Sequence, residues 1–237
     1  MREDIAVLID TNSNYSDVWQ PCFTRMDRYN AGVKRYVFTD NANDVPENYI
    51  SILYDNSASY RNQLLSCLRQ IPDKYIIYTS EDYILYDFVQ QNEIEKVANL
   101  LDKTEYSFCK FIKGPERTTL LKENIHIIDP EDNNFFAQQA SLWKTRDFEK
   151  IFEIAPSENT RMQHEPGGSA ICRDLGFSGL QYYSNTKRRG IHHYDSEIYP
   201  CIATAVVKGL WNLSEYPTEM KEVVKEFKIN CKIRGWR

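Results

Sequence analysis

The 237-residue chain carries no GxGxxG fingerprint, no CxxC pair, no internal repeat and no low-complexity linker. Without the glycine fingerprint, a Rossmann-type dinucleotide site is not expected. The six cysteines (Cys22, Cys67, Cys109, Cys172, Cys201 and Cys231) stand too far apart for a CxxC metal site. In a chain this long, an even number alone does not make a disulfide framework, so they read as reduced thiols of a cytosolic protein. No apolar stretch approaches the ~20 residues of a transmembrane helix. Met1-Arg2-Glu3-Asp4 leads straight into a short strand-like run, which argues against a signal peptide. The expected location is therefore the cytoplasm, with any membrane contact peripheral and at the inner face. A net charge of −5 excludes a protein that coats nucleic acid through its phosphates.

What is present is an ordinary globular balance, 42% apolar and 27% charged residues, with 16 Tyr and 4 Trp. Aromatic faces suit sugars and bases, but core packing is their default use, and Trp143 and Trp211 are read that way first. Ile5 to Ile9 is a short apolar run, as in a strand buried on both faces of a parallel sheet. Asp17 to Tyr29 has helical spacing, Tyr36 to Phe38 and Ile50 to Tyr54 read as strands, and Ser59 to Ile71 as an amphipathic helix. Tyr75 to Tyr78 is a further buried strand, and Glu93 to Leu101 a further helix. This alternation is that of an α/β sheet. The second half is less regular. Strands are expected at Tyr106 to Ile112 and Ile125 to Ile128, and a strand or strand-turn at Phe135 to Trp143. Helices are expected at Thr145 to Ile154, at Arg161 to Leu175 with its start interrupted by Pro166-Gly167-Gly168, and at Pro217 to Phe227. The economical reading is one domain, 1–237.

Lys74 to Asp87, KYIIYTSEDYILYD, organises the rest. Two adjacent acids, Glu81 and Asp82, lie between apolar runs. In an open α/β sheet, ligands bind beyond the carboxyl ends of the strands, and carboxylates leaving water there must be paired or coordinate a metal. Mg²⁺ carrying a phosphorylated substrate meets that need, since it takes only one or two protein carboxylates. The alternative is a strand followed by solvated acids. The polar loop after the first strand, Asp10-Thr11-Asn12-Ser13-Asn14-Tyr15-Ser16-Asp17, suits a nucleotide cradle or simply a helix cap. Arg61, in the first turn of its helix, is a candidate for phosphate or base contact, or a solvated helix residue. Glu165 precedes the Pro-Gly-Gly turn at a helix start, where backbone amides can approach a ligand; its other reading is an acid favouring the helix dipole. Lys187 to Arg189 is a basic loop, suited to phosphate on a lipid-linked acceptor or an anionic membrane and short of the usual basic cluster.

Four blocks together resemble nucleotide-sugar glycosyltransferases of the GT-A fold, and more narrowly the small bacterial-type enzymes that build capsule, lipopolysaccharide and other surface glycans. They are IAVLIDTNSNYSDVW; SYRNQLLSCLRQIPDKYIIYTSEDYILYD; QQASLWKTRDFEKIF followed by MQHEPGGSAI; and KGLW with IRGW at the end. The resemblance implies a single α/β domain of Rossmann-like GT-A type, with a mostly parallel central sheet flanked by helices, a nucleotide-binding half (about 1–103) and an acceptor-binding half (about 104–237). It implies a nucleotide-diphosphate sugar as donor, a glycan or lipid-linked saccharide as acceptor, no nucleic-acid partner, and a role in polysaccharide biosynthesis. It also implies a divalent cation, Mn²⁺ or Mg²⁺, held by a DxD motif that bridges the donor diphosphate. Here that segment is Ser80-Glu81-Asp82, so the first acid is missing, Asp82 is the candidate ligand, and metal dependence is open. Asp10, Thr11, Tyr15, Arg61, Glu81 and Asp82 are the expected donor-binding residues. Glu165 is the expected general base of an inverting reaction. His192 or His193 lies where some members of the fold supply a further metal ligand. Two other readings stay in play: a sugar nucleotidyltransferase, which would want a glycine-rich basic first loop, and a catalytically silent glycan-binding or scaffold domain.

Overall fold

The computed structural model describes residues 1–114, 116–156, 161–189 and 193–237; for 161–166 and 193 it describes the backbone alone. In chain order the elements are β1 (Ile5–Asp10), α1 (Ser16–Tyr29), β2 (Lys34–Thr39), β3 (Ile50–Leu53), α2 (Tyr60–Leu68), β4 (Tyr75–Ser80), β5 (Ile84–Leu85), α3 (Gln91–Asp102), β6 (Tyr106–Lys110), β7 (Thr118–Lys122), β8 (Ile125–Ile128), β9 (Ser141–Lys144), α4 (Thr145–Ile154), α5 (Arg161–Asp174) and β10 (Ser178–Tyr182). Short strands follow, β11 (Arg188–Arg189), β12 (His193–Tyr194), β13 (Cys201–Ile202), β14 (Val206–Val207) and β15 (Leu210–Trp211), then α6 (Pro217–Glu226) and α7 (Cys231–Arg234).

One nine-stranded sheet runs β3-β2-β1-β4-β9-β6-β10-β8-β7. Only β8 and β9 oppose the others, so seven strands point the same way and the expected mostly parallel sheet is present. β9 inserts between β4 and β6, so both halves of the chain contribute to one sheet. Strand alternation divides the core in two. Ile5, Val7 and Ile9 of β1 pack on one face with Trp19 and Met26 of α1, Val97 and Leu101 of α3 and Met220 of α6. Ala6 and Leu8 face the other way, toward Leu64 and Leu68 of α2, Phe148 and Phe152 of α4 and Cys172 of α5. Burial on both faces is why the central strands read as continuous apolar runs.

Two local expectations are corrected, and one strand is additional. Phe135–Ala140 is not strand; Phe135 and Phe136 are buried from an irregular segment, and pairing begins only at Ser141. The edge strand β7, TTLLK, was not anticipated; its residues are largely exposed and lack a buried face to impose alternation. And α5 runs from Arg161 to Asp174 without the expected interruption at Pro166-Gly167-Gly168. Gly168 is required by packing: a Cβ at this position would lie 2.3 Å from the Phe136 ring.

At the opposite edge of the sheet from the strand carboxyl ends, Asp102 closes α3 and accepts hydrogen bonds from Lys74, from the Tyr75 hydroxyl (2.8 Å) and from Arg2 (2.8 Å). The Lys74 ammonium, with Tyr75 and Arg2, holds the Asp102 carboxyl well below the usual carboxylate range, against its partial desolvation. A depressed folded-state pKa stabilises the fold fully above the unfolded value and progressively less as pH falls below it. Asp102→Asn is therefore expected to lower stability at pH 7 by about 1 kcal/mol, as suits a partly exposed pair. The difference from the parent should shrink below about pH 4, read from urea titrations across pH.

Candidate functional site at the carboxyl ends of the central strands

The parallel register sets Asp10, the last residue of β1, beside Ser80, the last of β4. Glu81 and Asp82 follow directly, so the acid pair and the first loop leave adjacent strands at the same edge. Glu81 is buried and Asp82 half-buried. Their charges reach into the core: after burial, they are the next causes that push the Cys22 thiol well up, and Asp82 acts likewise on Cys201. The backbone of Asp82 is fixed by Ala205, whose N–H donates to its carbonyl at 2.8 Å.

Asp10 is buried, and its Oδ2 accepts from two tyrosines, Tyr60 at the start of α2 (2.9 Å) and Tyr78 of β4 (3.0 Å). The Gln138 amide donates in turn to the Tyr60 hydroxyl. Thr11 is buried; its Oγ1 accepts from Trp19 Nε1 (2.8 Å) and its carbonyl from the Tyr54 hydroxyl (2.8 Å). The loop then turns through Ser13–Tyr15, where Asn12 accepts from the Asn14 N–H at 3.1 Å. Asp40, just past β2, grips this loop by accepting from the Ser13 N–H (2.7 Å) and hydroxyl (2.8 Å). Burial acts to raise the Asp40 carboxyl, and these hydrogen bonds outweigh it, leaving it below the ordinary range. Tyr15 is half-buried beneath the Arg234 guanidinium, 4.8 Å from its ring centroid. Arg234 also pairs through both arms with Asp17. A segment 217 residues away thus folds onto the first loop.

Across the sheet, Lys110 ends β6 with only 1% of its surface exposed and donates to the Asn134 carbonyl at 2.6 Å. It pairs in register with Ser141 of β9 and Gln181 of β10, so a buried ammonium stands at the same edge as the acids. A cavity of about 730 Å³ opens between the end of β10 and the start of α3, lined by Tyr86, Tyr182, Asp87, Glu93, Asp195 and Glu197 among others.

Of the expected donor-binding residues, the structure gathers Asp10, Thr11, Tyr15, Glu81 and Asp82. Arg61 lies apart from them, donating to the carbonyls of Phe152 and Glu153, both at 2.7 Å, at the carboxyl end of α4. Glu165 is on α5, and its side chain lies outside the described residues, as do His192 and the side chain of His193. In the basic loop, Arg189 is committed to Asp195 (2.9 Å) and Glu219 (2.6 Å). Trp143 and Trp211 are both core residues, each 1% exposed. Sequence reading missed Asp40, Tyr60, Tyr78, Lys110 and Arg234. For Asp40 a signal existed, because it follows a strand as Asp10 does.

No protein-family model matches the chain, and no curated protein sequence does. Among solved structures, S. aureus TarS 1–349 superposes with a TM-score of 0.51 at 10% identity, covering 94% of this chain and 64% of that one. A mannosyltransferase from Pyrobaculum calidifontis, solved with GDP-Man and Mn²⁺, also reaches 0.51 at 10% identity, over 88% of this chain and 59% of that one. This chain therefore spans roughly three fifths of the length of either neighbour. The fold is of the GT-A type, as the sequence resemblance implied.

Proposed function

We propose that this protein transfers a sugar from a nucleotide-diphosphate sugar to a saccharide acceptor, free or lipid-linked, with inversion at the anomeric carbon. The observation that carries the reading is the acid pair Glu81-Asp82, set at the carboxyl end of the central strand β4 beside Asp10. It is the place where an open α/β sheet receives its ligand. The loop Thr11–Tyr15 and Asp40 would hold the nucleoside, and the cavity between β10 and α3 the acceptor. Its volume and its mixture of tyrosine and acidic side chains suit a hydroxyl-rich ligand more than an anionic one.

Among the described residues, no group of three or more His, Cys, Asp or Glu side chains gathers as a metal site. The hard oxygen donors Glu81 and Asp82 nevertheless fit Mg²⁺ or Mn²⁺, which completes its shell with phosphate oxygens and water. When bound at Asp82, such a cation would neutralise charge on the departing nucleoside diphosphate. Glu165 would accept the proton of the acceptor hydroxyl as its oxygen bonds to C1 and the bond from C1 to the diphosphate breaks.

Thermal shift with UDP, GDP, CMP and dTDP, each in Mn²⁺ and in EDTA, tests the reading. A ligand bound by the native state raises the melting temperature by mass action. Stabilisation by one nucleotide supports it; no shift with any nucleotide favours a silent scaffold. Asp82→Asn is expected to weaken nucleotide binding in Mn²⁺ roughly tenfold, or ~1.4 kcal/mol, and to leave binding in EDTA unchanged. Equal affinity of variant and parent in Mn²⁺ would remove Asp82 from the site.

A further inference from the structure

The segment from Lys228 to Arg237 is chemically unlike the rest of this acidic chain. It holds Lys228, Lys232, Arg234 and Arg237 and no Asp or Glu, within a protein of net charge −5. Arg234 is turned inward onto Asp17 and Tyr15. Lys228, Lys232 and Arg237 are exposed, and among the described residues none of the three is in an ion pair. Between them the chain exposes two large apolar side chains, Ile233 at 84% and Trp236 at 62%. The segment is held by backbone pairing beside β15: the Trp211 N–H donates to Gly235, the Arg237 N–H to Trp211 and the Leu213 N–H to Arg237. The tip of the β14–β15 hairpin adds exposed Lys208 and Leu210, the latter against Gly235. Fixed backbone, exposed Trp and Ile, and flanking exposed cations thus occur together on one short stretch.

We propose that this segment docks the protein on an anionic lipid bilayer. Tryptophan favours the boundary between headgroups and acyl chains, and basic side chains near an anionic surface are drawn to it. Two inserted apolar side chains with a few cations give reversible, salt-sensitive binding rather than anchoring. A second copy of the chain is a poorer occupant, because a two-fold contact sets a patch against itself and would oppose Lys232 and Arg237 to their own copies. Through Arg234 the docked segment is tied to the first loop, so the strand ends would lie close to the bilayer surface. The inference does not depend on which reaction the site performs.

Sedimentation of the full chain with vesicles of phosphatidylcholine alone, or with about a third phosphatidylglycerol, tests it. The expected result is at least tenfold stronger partition to the anionic vesicles at low salt, lost near 0.5 M NaCl, where the Debye length falls to a few ångströms. Of the four tryptophans, Trp19, Trp143 and Trp211 are no more than 2% exposed. A blue shift of emission on binding therefore reports Trp236, and should vanish in Trp236→Phe. Ile233→Ser with Trp236→Ser, and separately Lys232→Glu with Arg237→Glu, should each cut partition at least tenfold. Leu53→Ser, at another exposed apolar site (58%), should not. Thermal melts of the variants without ligand, followed by circular dichroism, verify folding independently. Equal partition to both vesicle types, unchanged binding by the double variants, or self-association that disappears with Trp236→Ser while vesicles are ignored would each overturn the proposal.

Discussion

Glu165→Gln is expected to slow sugar transfer by ~10²–10⁴-fold, the usual contribution of a positioned general base, while donor affinity stays within a few-fold of the parent. The amide keeps the size and hydrogen-bonding reach of the carboxylate but cannot take up the acceptor proton. The loss should fall on kcat rather than on the KM for donor, because the missing interaction exists only as the acceptor oxygen attacks. The acid limb of the kcat profile should also flatten, since the group whose protonation sets it is gone. Glu165 lies on α5 three residues before Gly168, the residue that lets this helix close onto Phe136. Two outcomes would defeat the assignment. Unchanged turnover would remove Glu165 from the reaction. Unfolding, or lost nucleotide binding, would make it a structural acid in the first turns of α5.

The parts of the fold legible in the sequence are those fixed by short-range periodicity. β1 through α3 follow the apolar runs and helical spacings closely, because β1, β2 and β4 are buried on both faces and each helix on one. The acid pair was legible on the same footing: carboxylates directly after a buried strand lie where the sheet ends, and charges drawn out of water there need a cation or a donor beside them. What escaped is what depends on contacts distant in sequence. Nothing local to Arg234 announces that it will pair with Asp17. Tyr60 and Tyr78 are ordinary aromatics in the sequence, and only the approach of α2 and the pairing of β4 with β1 bring both to Asp10. Arg61 illustrates the converse. A guanidinium in a first helical turn suggests an anion, yet the nearby carboxyl end of α4 offers it two carbonyls.

The glycines make the same point and carry the largest expected effect on stability. Gly179 sits in β10 where a Cβ would come within 2.2 Å of Phe108. Phe108 cannot move aside, since it is fully buried, stacked on Trp143 at 4.1 Å between centroids and met edge-on by Phe135 at 5.2 Å. The pairing of β10 with β6 shifts register at this point, between Ser178 and Gly179, where the ring lies against the bare backbone. Gly179→Ala is therefore expected to cost about 3 kcal/mol or more, the upper range for overpacking a closed core. For a chain of this size that lowers Tm by roughly 6–12 °C. The cause can be separated from any change in strand propensity by a double-mutant cycle. If the alanine clashes with the ring, Phe108→Leu in the Gly179→Ala background should recover stability, making the pair less destabilised than the sum of the singles. Additive losses, or a Tm within about 2 °C of the parent for Gly179→Ala alone, would show that the neighbouring backbone relaxes and that β10 is not pinned against β6 by this contact.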